Sequence, residues 1–284
     1  MTARTDGKGL TVARNCKVIT TCFIGREIRK KTTICGDPPG LFRHAQVFPD
    51  AESVLELLAL VHEFELKVDP GVECDTIIVN HDVGWKRGNA YLASLNGTRT
   101  FAGSIKVITR DNYGGSLGGY DFAYQEFRHQ YDYWTFTEDD ILISGDKYLT
   151  RCIDTFERHA DTGFVAIQGL SSDPVLHAHG GVGTSRIHVL DAVCKLWGYL
   201  PHRRQHESQK DPDHSIWGEV LFTNLMIRLG YRLVTVETDA PLYTFAYDYM
   251  RQERGYRRKP RRRFLPRILR RVARATEQWA ASLD

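Results

Sequence analysis

Apolar and β-branched residues recur along the chain as short runs that alternate with stretches of helical spacing. Lys17 to Ile24 (KVITTCFI) predicts a short buried strand, and an irregular excursion with GDPPG at 36–40 follows it. Asp50 or Ala51 then opens a helix through SVLELLALVHEF, and DTIIVN at 75–80 predicts the second strand. Further along, GNAYLASLNG reads as a short helix, SIKVIT at 104–109 as a third strand, and 119–129 as a helix entered through a glycine-rich turn. A strand over 131–137 ends in three consecutive acids, and a helix begins near Asp146. Later elements are a strand at 163–169, a helix at 188–197, a longer helix at 215–229 closed by Gly230, and a last strand at 232–237. This β-then-α rhythm predicts a layered α/β domain without internal repeats. Nothing near 140–145 looks like a linker, so the two functional halves that meet there belong to one compact domain.

Composition changes this picture mainly at the carboxyl end. The 284 residues carry 38 Lys and Arg against 35 Asp and Glu, a formal charge of +3. That average conceals a body of net −6 over residues 1–250 and a tail of net +9 over 251–284. The expected organisation is a polar leader at 1–16, the α/β domain at 17–250, and a basic amphipathic tail at 251–284. In FLPRILRRVARATEQWA the apolar residues share one helical face, which suits either docking on protein or lying at an anionic membrane surface through 251–279. Specific nucleic-acid recognition is not expected, because no reading module accompanies the arginines. No apolar run reaches the roughly 18–20 residues of a membrane span and the first residues lack a secretory signal, so the sequence predicts a cytoplasmic protein, at most peripheral on a membrane. The six cysteines form no C-x-x-C pair and read as reduced, structural thiols.

Glu138, Asp139 and Asp140 carry the most chemistry. An apolar strand that delivers carboxylates at its carboxyl end puts them where open α/β sheets bind ligands. Hard carboxylate oxygens suit Mg²⁺ or Mn²⁺, which would in turn hold a diphosphate; the plain alternative is a surface turn. Asp111, Asn112, Gly114, Gly115, Ser116, Gly118 and Gly119 lie between a strand and a helix. Their four glycines allow backbone approach to an anion, although neither the dinucleotide fingerprint nor a Walker loop is present. His177 and His179 sit in a second glycine-bearing segment with Gly180 and Gly181. With no downstream Cys/His spacing to complete a zinc set, they read as wall or loop histidines. Trp217 could stack on a sugar face or pack in the core.

Taken together, VITRDNYGGSLGGYDFAYQEF, YDYWTFTEDDILISGDKYL and GEVLFTNLMIRLGYRLV resemble nucleotide-sugar-dependent glycosyltransferases of the GT-A type, closest to family 2. The resemblance covers about residues 17–240. It implies a central, mostly parallel sheet flanked by helices, and metal-dependent transfer from a nucleotide-diphospho-sugar donor to a carbohydrate or lipid-linked acceptor, with inversion. Under it, Asp140 with Glu138 binds the divalent ion. Asn80, Asp82, Arg110, Asn112, Gly115, Gly118, Glu138, Asp139, Gly180 and Gly181 contact the nucleotide sugar. Glu219 is the base, and His214 and Trp217 form the acceptor side. Two departures stand out: Gly218-Glu219 replaces the usual acidic pair, and Asn80-His81-Asp82 replaces the usual early acidic-serine pattern. The rival readings are a noncatalytic carbohydrate- or nucleotide-binding protein of the same ancestry and, behind it, a sugar nucleotidyltransferase, whose glycine- and basic-rich amino-terminal signature is absent.

Overall fold

A computed structural model describes residues 14–21, 51–111, 113–172, 175–202, 214–236 and 238–253. The chain divides into two compact units, Met1–Tyr249 and Met250–Asp284. The basic tail beyond Glu253 lies outside the described residues, as do the leader up to residue 13 and the GDPPG excursion. Eleven strands occur among the described residues: β1 (Asn15–Thr20), β2 (Asp75–Asp82), β3 (Ile105–Asp111), β4 (Tyr133–Glu138), β5 (Ile141–Ile143), β6 (Thr162–Ala166), β7 (Leu170–Ser171), β8 (His177–Ala178), β9 (Gly183–Arg186), β10 (Arg232–Thr235) and β11 (Tyr243–Phe245). The helices are α1 (Ala51–Lys67), α2 (Lys86–Leu95), α3 (Gly115–Phe127), α4 (Tyr148–Arg158), α5 (Ile187–Trp197), α6 (His214–Arg228) and α7 (Ala246–Glu253).

Seven strands form one sheet in the order β10-β6-β9-β4-β1-β2-β3. β1 pairs in parallel with both β2 and β4, and β2 with β3, so the carboxyl ends of these four strands share one edge. The chain builds outward from β1 to β2 and β3, then returns to place β4 on the other flank. The junction of β1 and β4 is therefore the switch point at which open α/β sheets bind ligands. All six residues of β1 are buried, as an inner strand covered on both faces requires. Its Lys17 is tolerated there because the ammonium pairs with Glu65 of α1 at 2.5 Å, and Glu65 also accepts the Thr76 hydroxyl at 2.6 Å.

On one face of β4, Trp134 and Phe136 organise the layer that shapes the site. Tyr120 and Tyr124 of α3 pack on them, with ring centroids 4.8 Å (Tyr120–Phe136) and 5.0 Å (Tyr124–Trp134) apart. Phe222 of α6 meets Phe136 edge-on at 5.7 Å. Such aromatic pairs contribute on the order of 0.5–1.5 kcal/mol beyond their buried area, and here they fix α3 and α6 side by side over the central strand.

Two expectations need correction. The first strand begins at Asn15, two residues before the expected 17, because its partners begin at Tyr133 and Asp75, and it ends at Thr20; residues 22–24 of the expected range lie outside the described residues. α3 begins at Gly115, four residues before the expected 119, so the glycines expected in a turn make up its first turn. A Cβ at Gly118 would lie 2.7 Å from the Tyr113 carbonyl oxygen, and one at Gly119 would lie 2.5 Å from Thr20 Cγ2. These glycines let the helix press against β1 and its own entry loop. The sheet is mostly parallel, as expected, with one antiparallel member: β9 runs antiparallel to both β4 and β6. Its sequence, GTSR, has no hydrophobic signal, yet Thr184 and Ser185 are buried, with hydroxyls bonded to Thr135 at 2.9 Å and to the Gly163 carbonyl at 2.7 Å. Cys16, Cys74 and Cys152 are buried free thiols, and Cys194 is half-buried and free.

Candidate active site

The acids stand at the switch point. Glu138 closes β4, and Asp139 and Asp140 form the turn into β5. That turn is anchored from both sides, since Asp139 N–H donates to the Thr20 carbonyl at 3.0 Å and Ala246 N–H donates to the Asp140 carbonyl at 2.8 Å. Asp139 and Asp140 are buried. Burial, followed by the neighbouring Asp140, raises the Glu138 pKa to about 8. Burial, followed by Asp139, raises that of Asp140 to about 7. Glu219 also disfavours the Glu138 charge, which places the carboxyl-end acid of β4 near the acid of α6. Crowded carboxylates of this kind fit a hard divalent cation, whose charge would relieve their repulsion.

The amino end of α3 faces the same edge. The Ser116 hydroxyl donates to Glu138 and opposes the upward shift. On the other side of that first turn lies Arg110, the penultimate residue of β3, 7% exposed. Its three guanidinium nitrogens make no hydrogen bond of ordinary geometry among the described residues, and the Tyr113 hydroxyl is the side-chain hydrogen-bond partner that favours its charge. The guanidinium also stacks 3.9 Å over the Tyr113 ring, with Phe122 at 5.5 Å. Nη1 lies 2.9 Å from where a Gly118 Cβ would be, so a glycine there keeps the guanidinium against the helix start. Burial lowers the Arg110 pKa while Tyr113 and Asp121 oppose that shift. Next to it, burial and then the Arg110 charge push His81 down to about 3, so its imidazole stays neutral. A buried cation beside a helix amino end is an arrangement that suits an anion.

A third cluster comes from β8 and α6. Glu219 and Thr223 lie one turn apart on α6, and both meet the segment around residues 177–181: Gly180 N–H donates to Glu219 Oε1, and Ala178 N–H donates to Thr223 Oγ1 at 3.0 Å. Gly180 has φ +63°, which a side chain would strain. His177 Nε2 stands 3.7 Å from Glu219 Oε1, and His179 Nδ1 stands 3.5 Å from the same oxygen. One ligand atom from each of His177, His179 and Glu219 falls within 4.8 Å of the others, so the group can coordinate a divalent metal ion.

The remaining candidates fall elsewhere. Asn80 is buried, and its amide donates to Asn89 Oδ1 at 3.1 Å and to Thr109 Oγ1 at 3.4 Å. Asp82 is exposed and accepts from Gly84 N–H at 2.7 Å and Asn89 Nδ2 at 2.8 Å, bonds that hold its pKa low. Both therefore secure the β2–α2 connection. Gly115 and Gly118 are in the first turn of α3, Gly180 N–H bonds Glu219, and Gly181 packs near Leu117 of α3 and Phe222 of α6. Asn112 and the side chains of His214 and Trp217 lie outside the described residues. Spacing alone did not join His177 and His179 to Glu219, because the third ligand arrives from a helix 40 residues downstream and is a carboxylate. The deep burial of Arg110 likewise has no signal in RDNYGG.

Neither a protein-family model nor a curated protein matches the chain. Similar solved structures include a cytidylyltransferase from Leptospira borgpetersenii serovar Hardjo-bovis, at 10% identity over 81% of this chain and 77% of that one, with a TM-score of 0.42. Another is 4-diphosphocytidyl-2C-methyl-D-erythritol synthase, at 12% identity over 81% and 92% of the two chains, TM-score 0.38. A third is CMP:2-keto-3-deoxy-manno-octonic acid synthetase complexed with CTP, at 12% identity over 80% and 90%, TM-score 0.41. Fold and site together define an α/β protein with acids, a buried cation and a His-His-Glu group gathered around its switch point. Among the described residues, no helix is long and apolar enough to cross a membrane.

Proposed function

We propose that the chain is a transferase acting on nucleotide-diphospho-sugars, and that the group it moves is the sugar, to a carbohydrate or lipid-linked hydroxyl. The observation that carries this reading is the pairing of opposite charges across the first turn of α3. Ser116 joins that turn to the acidic end of β4, and Gly118 joins it to the buried guanidinium of Arg110. A ligand with an anionic diphosphate suits both, one directly and one through a cation. Asp140, with Glu138, would hold Mg²⁺ or Mn²⁺, which offsets the charge gathering on the diphosphate leaving group. Arg110 and the α3 amides bind the anionic part of the donor and orient it along the strand ends. Asp139 fixes the turn that presents its neighbours.

Glu219 supplies the base. Its carboxylate is 27% exposed, open enough to meet an acceptor hydroxyl, and Gly180 N–H holds it in place. Accepting the hydroxyl proton as the acceptor oxygen attacks the anomeric carbon leads to inversion. His214 and Trp217, on the first turn of the same helix, are assigned to the acceptor side by the resemblance alone. Together, an acid pair for cation and diphosphate and a separate carboxylate for the acceptor fit group transfer better than passive binding, which needs no base.

Thermal shift with a panel of nucleoside diphosphates and nucleotide sugars, with and without Mg²⁺ or Mn²⁺, tests the donor site. Stabilisation by one diphosphate family that grows with the cation and falls in Arg110→Met is expected. Saturating ligands that leave the wild-type midpoint unmoved overturn the reading.

A further inference from the structure

The His177, His179 and Glu219 group has chemistry that the acidic strand end does not share. His177 is 4% exposed, and its Nδ1 lies 2.7 Å from the Val175 carbonyl oxygen. A carbonyl can only accept, so Nδ1 carries the proton. With Nδ1 engaged by that carbonyl, Nε2 is the ring atom left to meet a ligand, and it lies 3.7 Å from Glu219 Oε1. An imidazole whose far nitrogen is tied to a backbone carbonyl, leaving the near one as donor atom, is also the arrangement that orients metal-binding histidines.

The spacing agrees. A tetrahedral ion with bonds of about 2.0–2.1 Å separates its ligand atoms by roughly 3.3–3.4 Å; the two distances to Glu219 Oε1, 3.5 and 3.7 Å, exceed that by a few tenths, and the two imidazole nitrogens lie within 4.8 Å of one another, so a small closure of the group would seat the ion. The scaffold is also set, because Gly180 N–H and the Ala178–Thr223 bond pin the 177–181 segment to α6.

We infer that His177 Nε2, His179 Nδ1 and Glu219 bind one divalent transition-metal ion of the Zn²⁺ or Co²⁺ type, at a site separate from the all-carboxylate end of β4. Two imidazoles and one carboxylate favour these ions over Mg²⁺, which prefers oxygen ligands. Three protein ligands leave at least one coordination position for water or an acceptor oxygen. The site stands on its own geometry, whichever group the chain transfers. One consequence does rest on the transfer reading: a bound ion occupies the Glu219 carboxylate that would otherwise accept a proton, so Zn²⁺ slows transfer.

Calorimetric titration of the purified full-length protein with Zn²⁺, in millimolar Mg²⁺, tests the inference, with Co²⁺ absorption as a second readout of the ligand set. One equivalent is expected to bind. Affinity should fall by about tenfold or more in His179→Ala and in Glu219→Gln and stay within about twofold in Asp140→Asn. His179 is 60% exposed, so its replacement leaves the fold intact even where replacing the buried His177 does not. Zn²⁺ affinity unchanged in both His179→Ala and Glu219→Gln, or no stoichiometric binding by the folded wild type, would overturn it. For the consequence, His179→Ala should need about tenfold more Zn²⁺ for the same slowing; equal sensitivity of variant and wild type refutes the link to Glu219.

Discussion

The acidic end of β4 and the His-His-Glu group on α6 lie close together but are made in opposite ways. Glu138, Asp139 and Asp140 are consecutive, and one strand delivers them to the sheet edge. Their like charges crowd in a buried turn, so the site is electrostatically costly until a cation arrives. His177, His179 and Glu219 come from a two-residue strand, a tight turn and a helix, and they combine one carboxylate with two imidazoles. The first group suits a hard ion and the second a borderline one. In the proposed reaction Asp140 serves the donor side and Glu219 the acceptor side.

The largest effects should separate these roles. Asp140→Asn removes the hard-ion ligand and should lower transfer by about 10³-fold or more, while the thermal midpoint of the metal-free protein holds or rises because a buried like charge is gone. Glu219→Gln keeps the size of the side chain and should lower turnover by about 10²–10⁴-fold with little change in donor affinity. Near-normal turnover by the purified variant would remove Glu219 from the reaction.

Arg110 should give a smaller and more informative effect. Arg110→Met removes a charge that burial disfavours, so the unliganded protein should become no less stable, while binding of nucleoside diphosphate weakens by about tenfold. Loss of stability together with unchanged binding would make Arg110 a structural residue.

The smallest effect concerns pH. Glu138 and Asp140 bind protons more tightly in the folded chain than in the unfolded one, so the folded state holds more protons between the ordinary carboxylate range and about 8. Stability from these groups is therefore greatest at low pH and falls as pH rises through that window. His81, kept neutral in the fold, acts in the opposite sense below its ordinary range. The difference between stability with and without Mg²⁺ isolates the acids. It should widen from pH 5 to pH 8 in the wild type and shrink in Asp140→Asn, as followed by thermal denaturation.

Much of the fold could be read from the chain because its inner strands are apolar runs and its helices keep a helical period. β1, β2, β3, β4, α1, α4, α5 and α6 all fall within a few residues of where the pattern put them. β9 and the β5–β11 pair were hidden, because their burial depends on hydroxyl bonds and on residues distant in sequence rather than on hydrophobic alternation. The acid cluster of the candidate site was legible for the same reason as the strands: its residues are contiguous. Glu219 was reached through resemblance. The burial of Arg110 against α3 and the joining of two histidines to Glu219 were not legible, because each depends on how closely a glycine lets one element approach another.

Phosphorus NMR of the products formed by the full-length protein, with Mg²⁺, nucleotide-diphospho-sugar and a mixed panel of hydroxyl acceptors, tests the central claim most directly. The account predicts release of nucleoside diphosphate, dependent on acceptor and abolished in Asp140→Asn. Pyrophosphate released from nucleoside triphosphate and sugar phosphate, with no nucleoside diphosphate from any nucleotide sugar, would contradict it and assign the same site to nucleotidyl transfer.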